Sequence, residues 1–265
     1  MNKMDQVSFA EYISTLQIRL QEKAMPKTKA WWEAYMKQVI PFRGVKMPTI
    51  RAVLHQWYTS EGIDKELSFA EQKDLALDLF QGEYAEDKLA GILFLQEILL
   101  PAGAIDCTAD ISCFAALFTN NWIYDWNTCD WFCVKVLGPL IRREGQDCAE
   151  AIAGWKNAEN LWQARAAVVA FVGVAANQDY YPLIQNACGV LIRREERFAK
   201  TGVGWILRDI SKHDEEWVKA FIASNLSYFS NESLKNALKY FSGDERSTYL
   251  RLLKAFNKST DQPDG

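Results

Sequence analysis

The strongest constraint in this chain is an apolar pattern that returns every third or fourth residue from end to end, while the two-residue alternation of a half-buried strand is almost missing. An all-α fold follows. Ser8-Phe-Ala-Glu11 and Ser68-Phe-Ala-Glu71 are the same tetrapeptide, and each fits a capping box in which serine oxygen and glutamate satisfy the free amides of a first helical turn. Pro48, Pro101, Pro139 and Pro182 interrupt the pattern, and Gly44, Gly62, Gly82, Gly103 and Gly243 fall where turns are expected. Between these breaks lie about a dozen helices of roughly 10 to 18 residues, joined by short polar loops.

Pairing those helices gives a period of about 35 to 45 residues, the range of HEAT and armadillo repeats, whose helix pairs stack into a curved solenoid with a concave face. Trp162-Gln-Ala-Arg165 and Trp205-Ile-Leu-Arg208 repeat a W-x-x-R pattern 43 residues apart, and Trp126 precedes Trp162 by 36. One position revisited in successive repeats explains the spacing, although ten tryptophans leave room for coincidence. Residues 1–258 are expected to form one HEAT-like repeat domain and residues 259–265 a disordered polar tail.

Composition excludes several alternatives. With 265 residues, 49% apolar and 24% charged, the chain buries too much to be disordered or collagen-like. No apolar run reaches the roughly 18 to 20 residues that cross a bilayer, and Met1 to Ala10 lack the apolar core of a signal peptide. An intracellular protein is expected, in cytoplasm or nucleoid if the host is bacterial. The six cysteines form no C-x-x-C pair and only His55 and His213 accompany them, so reduced thiols are expected and no metal site is assigned. Cys129 and Cys133, one turn apart, read as small core residues.

The net charge of −4 is unevenly divided. Residues 1–130 carry 12 basic and 18 acidic side chains, residues 131–265 carry 18 and 16. Arg142, Arg143, Arg193, Arg194, Arg197, Lys200, Arg208 and Lys212 can supply a local basic surface, and they equally fit ordinary solvated helix faces.

The nucleotide loops, nucleophile elbow and zinc-deaminase signature are all missing, which leaves carboxylate, arginine and aromatic chemistry. Asp125 is a good N-cap for a helix starting at Trp126, which puts Asp130 one turn later on the same face. An indole and a carboxylate then project together. Trp162 with Arg165 and Trp205 with Arg208 lie three apart on later helices. These groups either converge on a concavity or are core tryptophans with a buried Asp130–Arg165 pair.

Four ordered blocks carry a resemblance. Trp32-Glu-Ala-Tyr-Met-Lys-Gln-Val-Ile-Pro-Phe-Arg-Gly-Val-Lys-Met-Pro48, Trp126-Asn-Thr-Cys-Asp130, Leu161-Trp-Gln-Ala-Arg165 and Phe198-Ala-Lys-Thr-Gly-Val-Gly-Trp-Ile-Leu-Arg-Asp-Ile-Ser-Lys212 resemble, in similar order and spacing, the motifs of the DNA alkylation repair family of HEAT-like glycosylases, the AlkD type. The resemblance implies that Asp130, Trp126 and Trp205 line a reaction centre. It implies that Arg165 supports Asp130 and touches the DNA backbone, and that Tyr35 and Arg208 hold the duplex. Phe198, Lys200, Lys212 and Arg197 are further expected DNA contacts; Arg197 stands where relatives tend to carry a second aromatic or apolar residue.

The implied activity is hydrolysis of the N-glycosidic bond of cationic N3- or N7-alkylpurines in double-stranded DNA, without a base-flipping pocket. No cofactor, membrane or obligate protein partner is implied, and a monomer is expected. Two other readings are a non-catalytic HEAT-like protein that binds DNA of unusual structure and a protein-interaction scaffold.

Overall fold

The structure, a computed structural model, describes residues 9–260, and among these every regular element is helical. The Ser8 capping box and residues 261–265 of the expected tail lie outside the described residues. The chain divides into two compact units, residues 1–136 and 137–265.

The first unit holds α1 (Ala10–Glu22), α2 (Pro26–Tyr35), α3 (Met47–Ser60), α4 (Ile63–Glu66), α5 (Phe69–Asp78), α6 (Ala85–Phe94), α7 (Cys107–Thr119) and α8 (Trp126–Phe132). Helix α1 packs on α3, α3 on α6, and α6 on α8. The Ser68 box forms as expected: Glu71 N donates to Ser68 Oγ at 3.3 Å and Ser68 N to Glu71 Oε2 at 2.8 Å. At the far end Phe132 meets Phe80, Phe114 and Phe118 with ring centroids 5.5 to 6.1 Å apart. All four rings are buried. Each contributes roughly 2 to 3 kcal/mol of apolar transfer, and each ring pair about 1 kcal/mol more, so the C-terminal end of α8 is pinned in the core.

The loop between α2 and α3 is held by one fully buried carboxylate. Glu86 accepts from Arg43 N at 2.9 Å through Oε2, and from Gly44 N at 2.8 Å and Val45 N at 2.9 Å through Oε1. Gly44 takes φ +95°, and a β-carbon there would lie 2.5 Å from the Met25 carbonyl oxygen and 2.6 Å from Lys29 N. Only glycine permits both the turn and the approach to α2, which gives the Phe42-Arg43-Gly44 motif its physical reason. Arg43 Nη1 reaches Asp87 Oδ1 at 2.6 Å and its guanidinium lies 4.1 Å from the Tyr84 ring centroid. Lys37 and Gln38, just past α2, both adopt left-handed backbone at φ 53° and 60°, a conformation costing on the order of 1 kcal/mol or more at a non-glycine residue.

The second unit holds α9 (Gly138–Glu144), α10 (Gln146–Ala153), α11 (Leu161–Val169), α12 (Tyr181–Leu191), α13 (Arg197–Ile210), α14 (Glu215–Asn225), α15 (Asn231–Ala237) and α16 (Gly243–Thr260). Pro182 sits in the first turn of α12, where the missing amide is harmless, and Pro139 follows directly on the π-helical turn 133–137 that leads from α8 into α9. Helix α11 packs on α13 and α13 on α15, while α10 packs on α12. The two W-x-x-R motifs lie on the neighbouring helices α11 and α13 but at unlike positions: Trp162 is in the first turn of α11, whereas Trp205 is in the second half of α13 and Phe198 is what meets Trp162. Gly243 opens α16 instead of lying in a turn, because Ser242 and Glu245 cap the helix directly ahead of it.

Replacing Glu86 by glutamine puts an amide NH2 against main-chain N–H donors that water cannot reach. The Glu86→Gln variant is expected to lose about 3 kcal/mol of unfolding free energy in a denaturant titration.

Candidate functional site

Helix α8 begins where the sequence places it. Asp125, fully buried, accepts from Asn127 N at 2.8 Å, Thr128 N at 2.9 Å and Thr128 Oγ1 at 2.6 Å. Burial pushes its carboxyl above the usual range, and the Thr128 and Asn127 donors pull it back. The nearby cation is Lys88, also buried, whose ammonium donates to the Phe80 carbonyl at 2.5 Å and lies 5.3 Å from the Tyr124 ring centroid. Desolvation lowers Lys88 to about 8, while Asp125 and Asp87 act against the shift.

Trp126 and Asp130 follow on α8 one turn apart, both half-buried. Trp126 packs on a small core of Met36, Ile40, Phe42 and Ala85, together with Trp32 and Tyr124. Trp32 stacks on Phe42 at 5.5 Å and meets the edge of Tyr35 at 5.8 Å. The first and second sequence blocks thus share one patch of the first unit, with Tyr35 exposed at its rim.

In the second unit Arg165 is only 4% exposed. Its Nη1 donates to the Phe198 carbonyl at 2.7 Å and to Thr201 Oγ1 at 3.3 Å, in the first turn of α13. Gly202 leaves the space it needs, since a β-carbon there would lie 3.2 Å from Arg165 Nη1. These bonds tie α11 to the start of α13. Trp162 meets Phe198 at 5.1 Å across the same two helices.

Trp205 and Arg208 lie further along α13, half-buried, with the Arg208 guanidinium 5.5 Å from the Trp205 ring centroid. Arg208 Nη2 reaches Asp209 Oδ2 at 2.8 Å, and Lys212 closes on the other Asp209 oxygen. Trp205 Nε1 and Arg208 Nε are buried donors without an acceptor among the described residues. Lys212 also lies 5.0 Å from the Tyr240 ring centroid, and Lys200 donates to the Tyr228 carbonyl at 2.7 Å. Arg197 forms a two-pronged pair with Glu232 at 2.7 Å through each contact and lies 5.1 Å from the Phe198 ring centroid.

The sequence reading missed the charges that hold these groups: Glu86, Asp87, Lys88, Asp209 and Glu232. Glu86-Asp-Lys88, three charges at the head of the apolar run to Leu100, was the available signal.

The fold is shared with two solved proteins. A structure described as a predicted DNA alkylation repair enzyme from Enterococcus faecalis superposes with a TM-score of 0.69 at 20% identity, covering 83% of this chain and 98% of that one. AlkD2 from Streptococcus mutans superposes with a TM-score of 0.58 at 16% identity, covering 89% and 100%. No curated protein sequence matches the chain. Residues 16–241 match the model of the family described as DNA alkylation repair enzyme, and the chain belongs to that family.

Two predictions follow from the buried groups. Between about pH 8 and 10 the folded chain has released the Lys88 proton that the unfolded chain still holds, so stability rises with pH there, by up to about 1.4 kcal/mol per unit. Thermal melts of wild type and Lys88→Met across this window should show the rise only in wild type. Arg165→Ala removes the donor shared by the Phe198 carbonyl and the Thr201 hydroxyl and leaves a cavity, and should lower unfolding free energy by about 2 to 4 kcal/mol in urea titration.

Proposed function

We propose that the protein is a DNA glycosylase that removes positively charged N3- and N7-alkylpurines from double-stranded DNA by hydrolysis. One observation carries the reading: α8 presents Trp126 and Asp130 one turn apart and partly open to solvent, with its start fixed by the buried Asp125 cap and its end by Phe132. A rigid helix with a half-open carboxylate beside an indole face suits one particular kind of bond cleavage.

An alkylated purine already carries a positive charge, so its bond to C1′ of the deoxyribose needs no general acid. The bond electrons pass to the base, which leaves neutral, while positive charge gathers on the sugar. This differs from ordinary glycoside hydrolysis, whose neutral leaving oxygen requires a second, protonated carboxyl group. Ionised Asp130 stabilises the sugar cation and orients the water that attacks C1′, and the proton released by that water passes through Asp130 to solvent. Trp126 offers an electron-rich face to the cation, worth roughly 0.5 to 2 kcal/mol; Trp205 is the second indole that the sequence resemblance assigns to the reaction.

Arg165 acts by holding α13, and so sets where Trp205 and Arg208 stand. The half-buried Arg208 side chain, beside Trp205, is assigned to the phosphate or sugar oxygens of a bound strand. Lys200, Lys212, Tyr35 and Phe198 are assigned to the backbone around the lesion. Arg197 joins them only by giving up Glu232, which makes it the weakest of these contacts. The enzyme works as a monomer on intracellular DNA and needs no cofactor. Since charge and weakened stacking mark the lesion, bulky adducts are tolerated.

The test is release of 7-methylguanine from methylated duplex. Asp130→Asn is expected to bind the duplex as wild type does and to lose excision by about 10² to 10³. Excision retained in that variant removes Asp130 from the mechanism. Salt-dependent binding by wild type without any base release makes the protein a DNA binder.

A further inference from the structure

The half of the chain with the acidic excess contains one basic stretch. Residues 23–46 hold six of the 12 basic side chains of residues 1–130, against the single acid Glu33. Arg43 is buried with Asp87, but Lys23, Lys27, Lys29, Lys37 and Lys46 are all exposed. Glu33 is already engaged, accepting from Phe42 N at 3.2 Å and facing Lys29 at 3.8 Å.

On α2 the residues Lys27, Trp31 and Tyr35 are spaced by four and form one stripe. Trp31 is 59% exposed and Tyr35 56% exposed, unusual for two such large rings on one short helix. They stack on each other with centroids 5.4 Å apart and planes 3° from parallel. Trp32 braces both by edge contacts, 4.8 Å from Trp31 and 5.8 Å from Tyr35, and is itself stacked on the buried Phe42. Ala30 and Ala34, also exposed, leave the rings unobstructed at their sides. The left-handed pair Lys37 and Gln38 then turns the chain sharply just beyond Tyr35 and keeps Lys37 at the end of the stripe.

A rigid open aromatic stack bordered by lysines matches what an unpaired nucleotide offers: a flat base on one side and a phosphate on each end. A fully paired duplex hides its base faces. The same core that braces Trp32 also carries Trp126 of α8. We propose that Trp31, stacked on Tyr35, is a seat for an unpaired nucleobase, with the exposed Lys27 and Lys37 holding its phosphates. The seat rests on DNA being the substrate of the proposed reaction, and makes DNA with a displaced base the preferred form.

The experiment compares binding of a paired duplex and of the same duplex carrying one bulged 2-aminopurine, at fixed salt, for wild type, Trp31→Ala and Trp31→Phe. Wild type should bind the bulged duplex roughly ten-fold more tightly and quench the 2-aminopurine; Trp31→Ala should lose both effects and Trp31→Phe keep most of each. Equal affinity of wild type for the two duplexes, or a preference that survives in Trp31→Ala, overturns the seat. So does binding to phosphatidylserine vesicles that Trp31→Ala abolishes while the duplexes bind alike, which would make the stack a lipid-surface anchor. Excision of 7-methylguanine by wild type is read in parallel. Base preference without excision ends the glycosylase reading and keeps the seat, whereas excision without base preference ends the seat alone.

Discussion

A carboxylate sealed from water, with main-chain amides on both of its oxygens, organises the first unit. Glu86 gathers the amides of Arg43, Gly44 and Val45, and its neighbours Asp87 and Lys88 engage Arg43 and the Phe80 carbonyl. Desolvating such charges is expensive, and only a full set of partners makes it tolerable. In return the first turn of α6 fixes both the loop behind α2 and the approach to α8. The aromatic groups that give this unit its chemical character are thus set by ionic contacts they do not make themselves.

The second unit solves the same problem with a cation. Arg165 lies beneath the first turn of α13 and orients that helix, on which Trp205, Arg208, Asp209 and Lys212 follow in order. The W-x-x-R pattern looks alike on α11 and α13 but serves two purposes. On α11 the arginine is buried; on α13 it is half-buried, beside an indole whose N–H has no acceptor among the described residues.

Much of this was legible in the sequence, and the limits have physical causes. Apolar periodicity gave the helical class, and Ser68 and Asp125 announced their helices because capping is local chemistry read within four residues. The 43 residues from Trp162 to Trp205 were misleading, since the two tryptophans stand at unlike positions of α11 and α13. What stayed hidden was pairing over distance: Arg43 with Asp87 and Arg197 with Glu232 are separated by 44 and 35 residues. Charge patterns along a helix do not disclose such partners. Exposure was equally opaque, since Trp31 and Trp32 are adjacent and identical in type, yet one is open to solvent and the other is wedged against Phe42.

The Glu86 knot also limits how this protein can vary. Aspartate is one methylene too short to span from α6 to the loop, and glutamine turns a donor toward amides that already donate. No single conservative exchange preserves the arrangement, so the position has no gentle route of drift. A change there removes the acceptor of three consecutive amides at once, so it has to be met by a change in the stretch from Pro41 to Lys46.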